Sequence, residues 1–95
     1  MDRYSEEARE IYNHIIDTAL EAQKKGHYVS IGMSNHGYDI YATAMRGGFV
    51  AGGSYAISIG IVFKDHGSAE RCQELIEDLE ALCECGEEEA LQWDT

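Results

Sequence analysis

The chain has 95 residues, 44% of them hydrophobic, and 18 acids against 7 bases give it a formal net charge of −11. That length makes one domain, whose core removes only about two-thirds of the unfolded surface from water, and the hydrophobic fraction excludes a disordered body. No apolar run approaches the ~20 residues that span a bilayer, and so acidic a surface repels nucleic-acid phosphates and anionic membrane.

The first element in chain order is a helix. Tyr4, Ala8, Ile11, Tyr12, Ile15, Ile16, Ala19 and Leu20 recur at steps of three and four residues, the spacing of one helix face. Asp2 or Ser5 is placed to cap its start, and Glu6 and Glu7 suit the positive end of the helix dipole. Lys24 and Lys25 fall in the last turn, before Gly26 as a left-handed stop. The segment Met1 to Glu7 has neither the basic nor the apolar stretch of a secretory signal. With an odd number of cysteines, three, the expectation is a cytoplasmic protein with reduced thiols.

The period then falls to two. Val29, Ile31 and Met33 alternate with Ser30, Gly32 and Ser34. After a turn at Asn35-His36-Gly37, Tyr38, Ile40, Ala42 and Ala44 alternate with Asp39, Tyr41, Thr43 and Met45. Gly47-Gly48 and Gly52-Gly53 frame Phe49-Val50-Ala51 in a second connection. Tyr55, Ile57, Ile59, Ile61 and Phe63 form the third strand. Short links imply an antiparallel meander. A second helix follows, capped by Asp65 or Ser68. Its apolar stripe is Cys72, Leu75, Ile76, Leu79, Leu82 and Cys83, and Gly86 is a plausible stop.

The expected fold is therefore α+β, in the order α-β-β-β-α. A three-stranded antiparallel sheet carries both helices on its Val29/Ile40/Ile57 face. Residues 1–86 make the domain and 87–95 an acidic tail. The open face would show Ser30, Gly32, Asp39, Tyr41, Thr43, Ser58 and Gly60.

Charge is distributed unevenly along this order. From Asp65 to Thr95 eleven acids face one base, Arg71, so that segment alone is −10. Glu70, Glu74, Glu77 and Glu84 fall near one line of the second helix, with Asp78 and Glu80 flanking, and Glu87 and Glu88 continue the run. Neighbours on such a line are ~5–6 Å apart, a step similar to that of alternate phosphates at ~3.4 Å per nucleotide. Carboxylates so spaced can occupy a groove built for phosphates. The plainer alternative is a solvated face that keeps a small protein soluble. Such a face would ordinarily mix signs, because like charges four residues apart destabilise a helix and here no lysine relieves them. Charge alone rarely binds tightly, so Tyr41, Phe49 and Trp93 are candidate apolar anchors.

No catalytic or cofactor motif is present. The Gly pairs match no phosphate-cradling signature, and no histidine stands at a catalytic spacing from a nucleophile. Cys83-Glu84-Cys85 has a one-residue gap where zinc ligands have two to four, and Cys72 belongs to the buried stripe. No enzyme activity, metal or cofactor is expected.

In size, charge and element order, and in its Glu70/Glu74/Glu77/Asp78/Glu84 array, the chain resembles the small acidic inhibitors encoded by bacteriophages, notably anti-CRISPR proteins. The resemblance spans the whole chain and carries no residue motif. It implies a non-enzymatic inhibitor in the cytoplasm of a host bacterium. Its partner would be a basic nucleic-acid-handling protein, such as a CRISPR–Cas effector, with no direct contact to nucleic acid. Two other readings follow from the residues alone. One is a homodimeric module using an edge strand or the open sheet face. The other is a small-ligand binder using His36, Asp39 and Tyr41.

Overall fold

The computed structural model describes residues 1–93, with side chains over residues 1–84. The order is helix α1 (Glu6–Lys24), strands β1 (Tyr28–Met33), β2 (Ile40–Met45) and β3 (Ile57–Ile61), then helix α2 (Ser68–Trp93). The strands pair antiparallel in the order β1-β2-β3, with Ile31 opposite Ala42 and Ala42 opposite Ile59. The α+β architecture read from the sequence is the one the chain adopts.

Both ends of α1 follow from local chemistry. The Ser5 side chain accepts the Ala8 N–H at 3.1 Å, satisfying one of the helix's orphan donors. At the far end Gly26 adopts φ 96°, its N–H donating to the Gln23 carbonyl and that of His27 to Ala22. This pair of bonds is the Schellman arrangement, which turns the chain directly into β1.

One face of the sheet and one stripe from each helix form a single core. Its largest fully buried side chains are Phe63, Ile15, Ile40, Ile61, Leu75, Leu79 and Cys72. Tyr12 packs its ring 5.2 Å from that of Phe63, tying α1 to the end of β3. The apolar stripe of α1 is wider than the face it buries. The small residues Ala8, Ala19 and Ala22 go inside, where the helix presses close, while Ile16 and Leu20 remain exposed.

Three local expectations are corrected. Strand β2 starts at Ile40, not Tyr38, and Asp39 is buried rather than on the open face. Its Oδ2 accepts the Phe63 N–H at 2.7 Å and its Oδ1 pairs with Arg3, so the carboxylate closes the end of the sheet. Tyr55 lies outside β3, and Met45 is buried beneath the glycine-framed loop, its sulfur 3.3 Å from the Val50 N–H. Finally, α2 continues through Gly86 to Trp93, so Gly86 does not stop it. Ser68 is its first residue, and its hydroxyl donates to the Phe63 carbonyl at 2.7 Å, serving as a tie to β3.

Candidate functional site

The acids of α2 over residues 70–84 lie on its outer side. Cys72, Leu75, Ile76, Leu79 and Leu82 are buried, and a helix that hides these positions must turn positions 70, 74, 77, 78 and 84 outward. Glu70, Glu74, Glu77, Asp78, Glu80 and Glu84 are accordingly exposed. Glu80 leans toward α1, with Oε1 3.8 Å from His14 Nε2. Glu77 accepts a long hydrogen bond from Gln73.

The base within this segment does not neutralise them. The Arg71 guanidinium donates to the Gly60 carbonyl of β3 at 2.9 Å, while Lys25, reaching across from the end of α1, donates to the Cys83 carbonyl at 3.1 Å. Among the described residues, ion pairs at hydrogen-bonding range tie none of Glu70, Glu74, Glu77, Asp78 or Glu84 to a cation. The result is a one-signed ridge whose field extends into solvent. Glu87, Glu88 and Trp93 belong to the final turns of the same helix, and their side chains lie outside the described residues.

The structure does not bring the expected aromatic anchors to this ridge. Tyr41 lies on the open face of the sheet, opposite the helices. Its ring covers Gly32, where a Cβ would collide with it, and Tyr38 covers Gly60 in the same way at 2.7 Å. Glycine is required at both positions for these rings to lie flat. Phe49 stands in the loop over the other end of that face, 5.2 Å from the Tyr28 ring. The sheet thus separates Tyr41 and Phe49 from the acids. Asp39 is likewise buried against Arg3 and Phe63, where it lines a cleft with His36 that Tyr41 does not line.

A second surface was not anticipated. Ile16 and Leu20 of α1 and Met33 of β1 are 42%, 55% and 57% exposed. With Tyr12, Ile31 and Ile40 they line a shallow apolar groove of ≈ 210 Å³ between the helix and the sheet edge. The signal was present in the sequence as the adjacent pairs Ile15-Ile16 and Ala19-Leu20, which widen the stripe beyond what one core face can cover.

Cys72 is buried and Cys83 half-buried. Burial pushes the Cys72 thiol up, opposed by Arg71, and does the same to Cys83, opposed by Lys25. Both are thiols, not thiolates, near neutrality. Among the described residues no group of three or more His, Cys, Asp or Glu side chains is placed to hold a metal ion, and no helix is long and apolar enough to cross a membrane. No family model, curated protein or solved structure matches the chain.

Proposed function

We propose that this chain is a non-enzymatic protein inhibitor that binds the basic, nucleic-acid-binding groove of a nucleic-acid-handling protein and blocks nucleic-acid access. The observation that supports it is the one-signed outer face of α2. The core accounts for the buried side of this helix, but nothing in packing requires Glu70, Glu74, Glu77, Asp78 and Glu84 to share a sign. Like charges at this spacing cost helix stability. They gain a use when lysines and arginines meant for phosphates face them, since complementary fields steer association and select the partner. The likeness to phage-encoded anti-CRISPR inhibitors makes a CRISPR–Cas effector a natural target. In this reading the footprint follows α2, with Glu80, Glu87, Glu88 and Trp93 extending it, and Tyr41 and Phe49 lie outside it.

The test immobilises the chain and passes a bacterial lysate over it at low and at high salt. A retained nucleic-acid-handling protein should be released by salt and displaced by duplex DNA. The variant Glu74→Lys/Glu77→Lys/Asp78→Lys should retain nothing while keeping its circular dichroism spectrum. Undiminished capture by that variant would place the interface elsewhere.

A further inference from the structure

From the face of the sheet that the helices leave bare we infer a binding site for a neutral sugar chain, built from the rings of Tyr38 and Tyr41 and the hydroxyls of Ser30, Thr43 and Ser58. The antiparallel register fixes its layout. Gly32, Tyr41 and Gly60 lie in one row across the three strands, and Ser30, Thr43 and Ser58 lie in the next row of the same face. Successive rows on one face are ~7 Å apart along the strands, and neighbouring strands stand ~4.8 Å apart. Beyond the hydroxyl row, Tyr28 and Phe49 close the far end with a pair of rings. No residue of β1, β2 or β3 is charged.

The two tyrosines are laid flat on the outside of the sheet. A Cβ on Gly60 would stand 2.7 Å from Cδ1, Cδ2 and Cε2 of Tyr38 alike, so the glycine meets the plane of that ring. Tyr41 covers Gly32 through its Cε2, Cζ and hydroxyl. With one side of each ring on a glycine, the other side faces solvent, and the two residues are 56% and 46% exposed. Glycine inside a strand weakens it, and these two serve nothing in the core, which lies on the opposite face. Beside the rings, the hydroxyls of Ser30, Thr43 and Ser58 make no hydrogen bond among the described residues.

This combination selects its occupant. A sugar ring has an apolar face of C–H groups that lies on an aromatic ring, and a rim of hydroxyls that donate and accept as those of Ser and Thr do. A nucleobase would stack on the same rings, but its phosphates would enter the field of a chain of −11 whose strands offer no base. A cationic ligand would find no carboxylate on the strands. An apolar protein surface would cover the tyrosines and strip water from three hydroxyls without replacing its hydrogen bonds, which costs affinity. A neutral sugar brings no charge into that field and uses both the rings and the hydroxyls. The face lies on the side of the sheet away from α2, so the inference stands apart from the reading of the acidic ridge.

The experiment titrates the isotope-labelled full chain with cellohexaose, maltohexaose and N-acetylchitohexaose, each to about 10 mM, and follows the amide resonances. At least one sugar should bind with a Kd of about 1 mM or tighter, moving the amides of Ser30, Gly32, Tyr41, Thr43, Ser58 and Gly60 and leaving those of α2 in place. Tyr38→Ala and Tyr41→Ala change exposed side chains and should each weaken binding about tenfold with an unchanged circular dichroism spectrum. Tyr41→Phe keeps the ring and should keep binding, whereas Thr43→Val keeps the shape, removes the hydroxyl and should weaken it. The α2 variant Glu74→Lys/Glu77→Lys/Asp78→Lys should bind sugar as wild type does, so loss of this site and loss of the inhibitory partner are distinguishable. No shift with any of the three sugars overturns the proposal, as does sugar binding that survives both tyrosine-to-alanine changes. If the same amides respond instead to a single-stranded oligothymidylate, or to protein concentration alone, the face belongs to nucleic acid or to a second copy, and the sugar assignment is overturned.

Discussion

The two helices bury the same kind of stripe in the same core and differ only in what they show to water. Helix α1 mixes its charges. Glu6 stands three residues before Arg9 and Glu21 three before Lys24, so bases stand among its acids even though Glu6–Glu10 and Asp17–Glu21 are like-charged at four-residue spacing. Helix α2 repeats one sign, with Glu70–Glu74, Glu74–Asp78 and Glu80–Glu84 all like-charged at four-residue spacing. The comparison separates what folding needs from what it does not. Both inner faces are dictated by burial. The outer faces are free to vary, and the α2 face has been filled in a way that costs stability.

The largest expected effects probe the shared half of this comparison. Ile15 of α1 and Leu79 of α2 are both fully buried in one core. Ile15→Ala and Leu79→Ala should each cost about 2–5 kcal/mol. Helical circular dichroism should be lost in a single transition in both variants. If either variant melted one helix ahead of the other, the two helices would not share a cooperative core, and the contrast between their outer faces would concern two separate units.

A smaller effect tests the half that differs. Glu74→Gln/Asp78→Asn relieves like-charge neighbours on α2 and should stabilise the protein by a few tenths to about 1 kcal/mol at low ionic strength. Salt should stabilise wild type more than this variant, because screening relieves the same repulsion. Removing Glu21 from α1 by Glu21→Gln should change stability less, since it removes the repulsion from Asp17 together with the attraction of the neighbouring bases Lys24 and Lys25. Denaturant melts at low and high salt measure the size in each case. Equal gains per charge removed for the two helices would mean that net charge, and not its placement on α2, sets the cost.

Much of this arrangement was legible before any coordinates. Helix α1 could be read because its cap, stripe and left-handed glycine are local and agree. The strand order followed from links too short for any other connection. The acidic ridge was legible for the same reason, since a heptad-like spacing fixes which side a residue takes. What escaped depends on contacts distant in sequence. Asp39 looked like one more alternating polar residue, yet Arg3 and the Phe63 N–H, far away in the chain, draw it inside. Met45 is buried because a loop folds over it, and that loop carried no periodicity to read. The separation of Tyr41 from the acids depends on which face receives the helices, a fact that belongs to the whole fold. The over-wide stripe of α1 signalled that Ile16 and Leu20 would stay exposed, but their place beside Met33 is set by how the helix packs against the sheet.

The smallest expected effect concerns pH and bears on where α1 and α2 touch. Cys72 is buried in the core, and Cys83 sits where α2 meets α1, its sulfur 3.7 Å from the Thr18 carbonyl. Burial raises both thiols above their ordinary range. A thiol held protonated by the fold binds its proton more tightly in the native than in the unfolded chain. Its contribution is therefore fully present below the unfolded value of about 8.5 and is lost as pH rises through the higher folded value. The Tyr12 hydroxyl, raised chiefly by burial, adds the same slope at still higher pH. Stability should thus decline on the alkaline side, beginning above about pH 8.5. Cys72→Ala, though less stable at neutrality for want of the buried sulfur, should show a shallower alkaline decline than wild type. An identical slope in the two proteins, measured by denaturant midpoints across that range, would show that Cys72 is as accessible to hydroxide in the folded chain as in the unfolded one, and hence that the core beneath the acidic ridge is open to water.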